Sequence, residues 1–300
     1  MTALGDIEEA ARKVVAAVGR SVVGVGDRWV RGSGIVVGEG RVLTNAHNLR
    51  GEAVTVTFHD GRAAEGRPLG VDPDGDLAVL SADTGDAPAA TWASDGGPEV
   101  GQVVFALANP AGRGLRVSFG MVSGVQRSFR GPRGRRITGG VEHTAALLPG
   151  SSGGPVVDAL GRVLGINTHR LGEGFYLAIP ADPSLAERVE ALARGEAPVR
   201  PRLGVGIVPG RMARRLRRAV GLPDRDGLLV RYVEPESPAG RAGVQEGDLI
   251  VAAGDQAIAS VDDLYRALDG LAPGASLDLR VVRGTEERTV RVTPAGEAGR

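Results

Sequence analysis

The stretch "PGSSGGPVV" (residues 149–157) sets two serines, Ser151 and Ser152, among Gly150, Gly153 and Gly154. Glycine reaches backbone angles that other residues resist, and such angles let main-chain N–H groups converge on one point. A point of that kind can hold an oxyanion, so the stretch reads equally well as a tight turn between strands or as the loop of a serine nucleophile. A serine hydroxyl attacks only when a base takes its proton, and the base needs a third group to hold its tautomer. His47 suits the base, because in "RVLTNAH" an apolar strand runs out into small and polar residues and presents the imidazole at the end of a rigid element. Asp76 opens "DLAVLS", a carboxylate at the mouth of an otherwise apolar strand. Taken singly, a histidine at a strand end is an ordinary surface residue and an aspartate before a strand an ordinary turn residue. Taken together they supply a base, an orienting acid and a nucleophile.

Other chemistries are poorly provided for. No cysteine is present, and His47, His59, His143 and His169 are scattered with no His-x-x-x-His pair, so no metal and no cofactor is expected. The 36 basic and 36 acidic residues cancel, which argues against a nucleic-acid partner bound by wholesale phosphate neutralisation. The run "ARRLRR" has no interleaved aromatics, and Arg214, Arg215, Arg217 and Arg218 are expected to form a solvated helix face.

The elements that must position these residues follow from the apolar pattern. Residues 21–179 are a succession of short Val-rich segments split by Gly, Pro and Asp, among them "SVVGV", "SGIVV", "QVVFALA" and "RVLGINT". Many short strands at that spacing predict an all-β barrel or sandwich. An N-terminal helix precedes them, capped by Asp6, with Leu4, Ile7, Ala11, Val14 and Val18 on one face. Glu8, Glu9, Arg12 and Lys13 interrupt it, so it carries no apolar run of signal-peptide or membrane-spanning length. A second helix is expected at "PSLAERVEALARG", with Leu185, Val189 and Leu192 on its buried face and Gly195 closing it. "GEAPVRP" reads as a linker, and beyond Arg202 strands mix with the helices "MARRLRRAV" and "VDDLYRAL", predicting a small α+β domain of roughly a hundred residues.

The motifs "LTNAH", "DLAVL" and "GSSGGP" occur in the order His47, Asp76, Ser152, with "ALANPAG", "VSFGMVSG", "GINT" and "LAIP" between and after them. In this the sequence resembles the HtrA/Deg serine proteases, a trypsin-like double β-barrel followed by a PDZ domain. "SPAGRAGVQEGDLI" and "RLGVGI" resemble the PDZ stretch and its carboxylate-binding loop. The resemblance implies a mainly β fold: a helix over 1–20, a trypsin-like protease domain over 21–195, a linker over 196–202 and a PDZ domain over 203–296. It makes Ser152 the nucleophile, puts Ser151 where the family has Asn, and assigns the oxyanion hole to the N–H groups of Gly150 and Ser152.

By the same resemblance Leu147 lies at the base of the primary specificity pocket and favours small aliphatic residues. Ile166, Asn167 and Thr168 offer a strand edge to an extended peptide, and Leu203, Gly204 and Val205 receive a C-terminal carboxylate. The Arg-rich residues 127–140 lie where family regulatory loops lie, and their glycines suggest mobility. The implied partners are unfolded or flexible protein segments, C-terminal peptides at the PDZ domain and, as a homotrimer, other copies of the chain. Three departures stand out: Leu148 for a family Asn, Thr144 for a family Asp, and His169-Arg170 where the family is apolar. As it stands the sequence reads as cytoplasmic, or else as the extracytoplasmic part of a longer protein. The alternative to a protease is a proteolytically silent scaffold or chaperone that only binds.

Overall fold

In β2 (Arg31–Gly38) and β3 (Arg41–Thr44) neighbouring apolar side chains go to opposite faces, as strand geometry requires. Val36 and Val42 join Val23, Val25, Val56 and Leu80 in one cluster, whereas Ile35 and Leu43 join another. The computed structural model describes residues 3–26, 31–93, 97–132, 134–172, 174–196, 198, 200–208, 210–272 and 274–297. The chain divides into two compact units, Met1–Ala197 and Pro198–Arg300.

The first unit holds two closed barrels with the same wiring. One comprises β1 (Val22–Gly26), β2, β3, β4 (Val54–Thr57), β5 (Ala63–Asp72) and β6 (Leu77–Ser81), in the order β1-β2-β3-β6-β5-β4. The other comprises β7 (Val103–Ala108), β8 (Arg116–Arg130), β9 (Arg136–His143), β10 (Pro155–Val157), β11 (Val163–Gly172) and β12 (Phe175–Pro180), in the order β7-β8-β9-β12-β11-β10. Val104, Ala106, Val122, Val141, Val156 and Ala178 pack together on one face of the second set of strands. The opposite-facing Phe105, Leu107, Val157, Ile166 and Ile179 share a core with Ile35, Leu43, Leu77 and Val79 of the first barrel. Val14 and Val18 of α1 (Ala3–Val18) and Leu185, Val189 and Leu192 of α2 (Pro183–Ala193) belong to that same shared core. Each fully buried aliphatic side chain there contributes about 1.5–3 kcal/mol, so this shared core holds the two barrels together.

Several elements differ from expectation for identifiable reasons. Asp6 lies inside the first turn of α1, where its charge suits the helix N-terminus, and is not the cap. β5 fills a stretch with no apolar alternation because two of its inward positions are glycines, Gly66 and Gly70. A Cβ at Gly70 would lie 2.4 Å from the Leu192 carbonyl oxygen, so α2 packs directly on the strand backbone. Residues 127–132 and 134–140 form the end of a hairpin between β8 and β9, closed by Gly131 N–H donating to Arg135 O at 2.8 Å. Phe129 and Ile137 are buried, and Arg135 pairs with Asp74 at 3.2 Å. Residue 133 lies outside the described residues; the described parts of this Arg-rich segment form a hairpin with a buried side.

The second unit contains β13 (Arg200–Arg202), β14 (Val205–Val208), β15 (Leu228–Val233), β16 (Leu249–Ala253), β17 (Gln256–Ala257), β18 (Leu277–Arg283), β19 (Glu286–Val292) and β20 (Ala295–Glu297). The main sheet runs β14-β15-β16-β18-β19, and β13 pairs with β20, so residues 200–202 of the expected linker are part of this unit; residues 197 and 199 lie outside the described residues. Its helices are α3 (Gly210–Ala219), α4 (Pro238–Arg241) and α5 (Val261–Asp269). Leu264 and Leu268 of α5 pack on Leu203, Val230, Ile250 and Leu279. The arginines of α3 are not one solvated face. Arg217 is buried, donating to the Pro223 and Gly284 carbonyls at 3.3 Å each, and burial pulls its pKa down; Arg214 and Arg218 pair with Asp226 and Asp224. Among the described residues no helix is long and apolar enough to cross a membrane.

Candidate active site

Strand β3 ends at Thr44 and the next turn, residues 46–48, carries His47. Its Nδ1 lies 2.9 Å from both carboxylate oxygens of Asp76, and its backbone N–H donates to Oδ1 at 3.2 Å. An ionised carboxylate only accepts, so the ring proton sits on Nδ1 and Nε2 is left as an acceptor. Asp76 is fully buried at the head of β6 with a left-handed φ of 54°, and Asn45 Nδ2 holds its carbonyl at 2.8 Å. Thr168 Oγ1 donates to the other carboxylate oxygen, Oδ2, at 2.5 Å. Four donors therefore fix this acid and its backbone. The His47 side chain stays 34% exposed, open to a reactant.

The two serines of the glycine-rich loop have different surroundings. Ser151 is buried, 4% exposed, and its N–H closes a turn on Leu148 O at 3.1 Å. Ser152 is partly exposed and its hydroxyl donates to the Thr168 carbonyl at 3.2 Å. Neither the Gly150 nor the Ser152 N–H has an acceptor among the described residues, while the carbonyls of both residues are engaged. Gly150 and Gly153 have φ of 90° and 88°. Gly154 instead serves close approach: a Cβ there would lie 2.3 Å from Leu107 O.

The expected peptide-binding residues divide. Ile166 and Asn167 are fully buried and paired on both sides, with Pro155↔Ile166 on one and Ile179 and Ala178 on the other, and Gly153 N–H takes the Asn167 carbonyl at 2.8 Å. They offer no free edge. From Thr168 onward only β12 pairs with β11 among the described residues, so the available edge is Thr168, His169 and Arg170, the last two exposed. Leu147 lines a cavity of about 340 Å³ whose other walls include Ala106, Ala108 and Ser118, not residues of β11. Leu148 is half exposed and serves the loop through its carbonyl, so the turn does not need the family Asn. Thr144 ties its segment to β8, its Oγ1 accepting from Met121 N–H at 3.0 Å.

Sequence reasoning missed several supporting residues. Asn48, beside the histidine, donates to Ser152 O at 2.9 Å and to Thr44 Oγ1 at 3.0 Å. Buried His143 reaches Asn167 Oδ1 through Nε2 at 2.8 Å, and burial pushes its pKa below the ordinary value. Asn45 and Asn48 flank His47 and give a local signal; Ser33 and His143 give none. In the second unit Leu203 and Gly204 lead into edge strand β14. Their carbonyls accept from Ala239 and Glu234 N–H at 2.9 Å each, and their own N–H groups have no acceptor among the described residues. Val205 begins β14 and pairs with Val233.

The trypsin-like peptidase domain family matches residues 32–166, and the PDZ domain family matches residues 201–293. A DegP-like periplasmic serine endoprotease of Halomonas elongata is 33% identical over 274 residues, covering 89% of this chain and 56% of that protein. HhoA of Synechocystis sp., named as a serine protease, is 34% identical over 279 residues, covering 88% of this chain and 70% of that protein. The chain thus spans about half to two thirds of the length of the curated relatives it matches. Among solved structures, the HtrA-type protease AlgW with a decapeptide matches with a TM-score of 0.67 at 25% identity, over 97% of this chain and 99% of that one. The serine endoprotease from Yersinia pestis matches with a TM-score of 0.64 at 27% identity, over 96% and 98%. A double barrel carrying a His–Asp pair, joined to a PDZ domain and similar to these proteases along nearly its whole length, belongs to the HtrA/Deg family of serine proteases.

Proposed function

We propose that the chain is a serine endopeptidase that cleaves exposed or misfolded protein segments, with Ser152 as nucleophile, His47 as general base and Asp76 as the orienting acid. What supports this is a loop whose Gly150 and Ser152 N–H groups have no acceptor among the described residues, together with a histidine held by a buried carboxylate. Each such donor, aimed at a tetrahedral oxyanion, is worth about 3–4 kcal/mol of transition-state stabilisation. An extended substrate adds along Thr168, His169 and Arg170 by strand pairing. Its main-chain N–H takes the Thr168 carbonyl that now accepts from Ser152, and the freed hydroxyl turns to Nε2 of His47. Ser152 Oγ then attacks the scissile carbonyl as His47 takes its proton, and the same imidazolium protonates the leaving amine. Leu147 sets a preference for small aliphatic residues before the scissile bond. The N–H groups of Leu203 and Gly204 hold a C-terminal carboxylate, with Val205 starting the strand that the peptide extends. The working assembly is a homotrimer.

Unfolded casein tests the reading. The full chain should fragment it, and Ser152→Ala, correctly folded, should not. Equal cleavage by both would remove Ser152 from the role of nucleophile, and none by the wild type would leave a binding scaffold as the better account.

A further inference from the structure

Ser33 lies on β2 of the first barrel, is fully buried, and directs its N–H and its hydroxyl to the second barrel, on or beside the nucleophile loop. Its N–H donates to Ser152 O at 2.9 Å. Its hydroxyl accepts from Asn109 N–H at 3.0 Å, so the hydroxyl proton is left for Gly150 O, 2.9 Å away. Its carbonyl accepts from Thr44 Oγ1 at 2.7 Å and is so close to Gly153 that a Cβ there would lie 2.1 Å from it.

We infer that Ser33 is a positioning residue for the oxyanion hole, fixing from the first barrel the peptide planes that leave the Gly150 and Ser152 N–H groups unengaged. The peptide unit is planar and trans, so holding the Gly150 carbonyl on Ser33 Oγ directs the Ser151 N–H the opposite way, to Leu148 O at 3.1 Å. Holding the Ser152 carbonyl fixes the plane on the other side of the nucleophile. The peptides that carry the two N–H groups of the hole lie next to these fixed planes. Gly150, with no Cβ, resists rotation only weakly by itself, and the bond from Ser33 supplies the missing restraint. Ser33 touches no substrate; it acts through Gly150 and Ser152.

The inference rests on Ser152 being the nucleophile, and its test separates the two claims. In the full chain, Ser33→Ala should lower kcat on a peptide substrate about tenfold or more with KM within about twofold, and weaken binding of a peptide boronate by the same factor, because only the transition state uses the hole. Ser33→Cys keeps the size and a weak donor, and should fall between Ala and wild type; it carries the test if Ser33→Ala does not fold. Wild-type kcat and boronate affinity in the folded variant, with only the melting temperature lowered, would overturn the positioning role. If the wild type itself forms no boronate adduct at Ser152, the nucleophile reading fails, and this inference fails with it.

Discussion

His143 shows how a single side chain can be invisible in the sequence yet bear on the site. Its imidazole is buried, stacked on Tyr176, and joined through Nε2 to Asn167, whose Nδ2 reaches Gly154 O at 3.1 Å, two residues after the proposed nucleophile. Nδ1 has no partner among the described residues and burial puts the pKa below the ordinary 6.5, so the fold favours the neutral ring. The unfolded chain binds a proton near that ordinary value, so below it the unfolded state binds more protons than the folded one. Stability is therefore fully present above about pH 6.5 and is lost as pH falls from there toward the folded-state pKa, at a rate of up to about 1.4 kcal/mol per pH unit. His143→Gln keeps an N–H for Asn167 and removes the titration. Melting curves between pH 7.5 and 5 should fall more steeply for wild type than for this variant; parallel curves would refute the assignment. At this scale the sequence pointed to the residues whose types are rare and reactive in combination, His47, Asp76 and Ser152, and of these the structure pairs His47 with Asp76. It did not disclose Ser33, Asn48, Thr168 or His143 as supports, because serine, asparagine and threonine occur everywhere and only the fold brings these ones to a carboxylate or a carbonyl.

The hairpin between β8 and β9 docks on the segment that leads to Asp76, the proposed orienting acid. Arg135, with a side chain only 10% exposed, pairs with Asp74, which lies two residues before Asp76 in a turn whose left-handed angle at Asp76 is unfavourable for a residue with a Cβ. Replacing Arg135 by Leu or Asp74 by Asn should each destabilise the protein by about 1–3 kcal/mol, with a coupling energy in the double variant of at least about 0.5 kcal/mol. Additive effects in a denaturation cycle would show that the contact holds nothing. The barrel strands with apolar alternation were legible from the sequence, as were both helices of the first unit and, in the second, α3, α5 and the strands β14, β15, β16, β18 and β19, whereas β13, β17 and β20 were not. Nor were β5 and β9. β5 turns glycines inward, and β9 begins in a run of arginines and glycines whose buried members, Phe129 and Ile137, are isolated among charged neighbours. In both cases packing on a neighbouring backbone or side chain sets the strand, and hydrophobic periodicity carries no trace of it.

Across the whole molecule the account assigns cutting to the first unit and capture of a chain end to the second. A C-terminal carboxylate satisfies two N–H donors, whereas an amide lacks the charge and adds a donor of its own. With Ser152→Ala to prevent cleavage, the full chain should bind peptides ending in an apolar residue as free acids and bind the matched amides at least about tenfold more weakly. Equal affinities by calorimetry would remove the carboxylate role of Leu203 and Gly204. The central claim is that His47, Asp76, Ser152 and the two free N–H groups form one working centre. Labelling with a fluorophosphonate, followed by peptide mapping, tests it most directly, since the reagent requires an activated hydroxyl and an oxyanion hole but little substrate preference. One adduct per chain is expected, on Ser152 and not Ser151, with labelling lost in His47→Ala. An unlabelled wild type, an adduct on Ser151, or labelling undiminished by His47→Ala would contradict it.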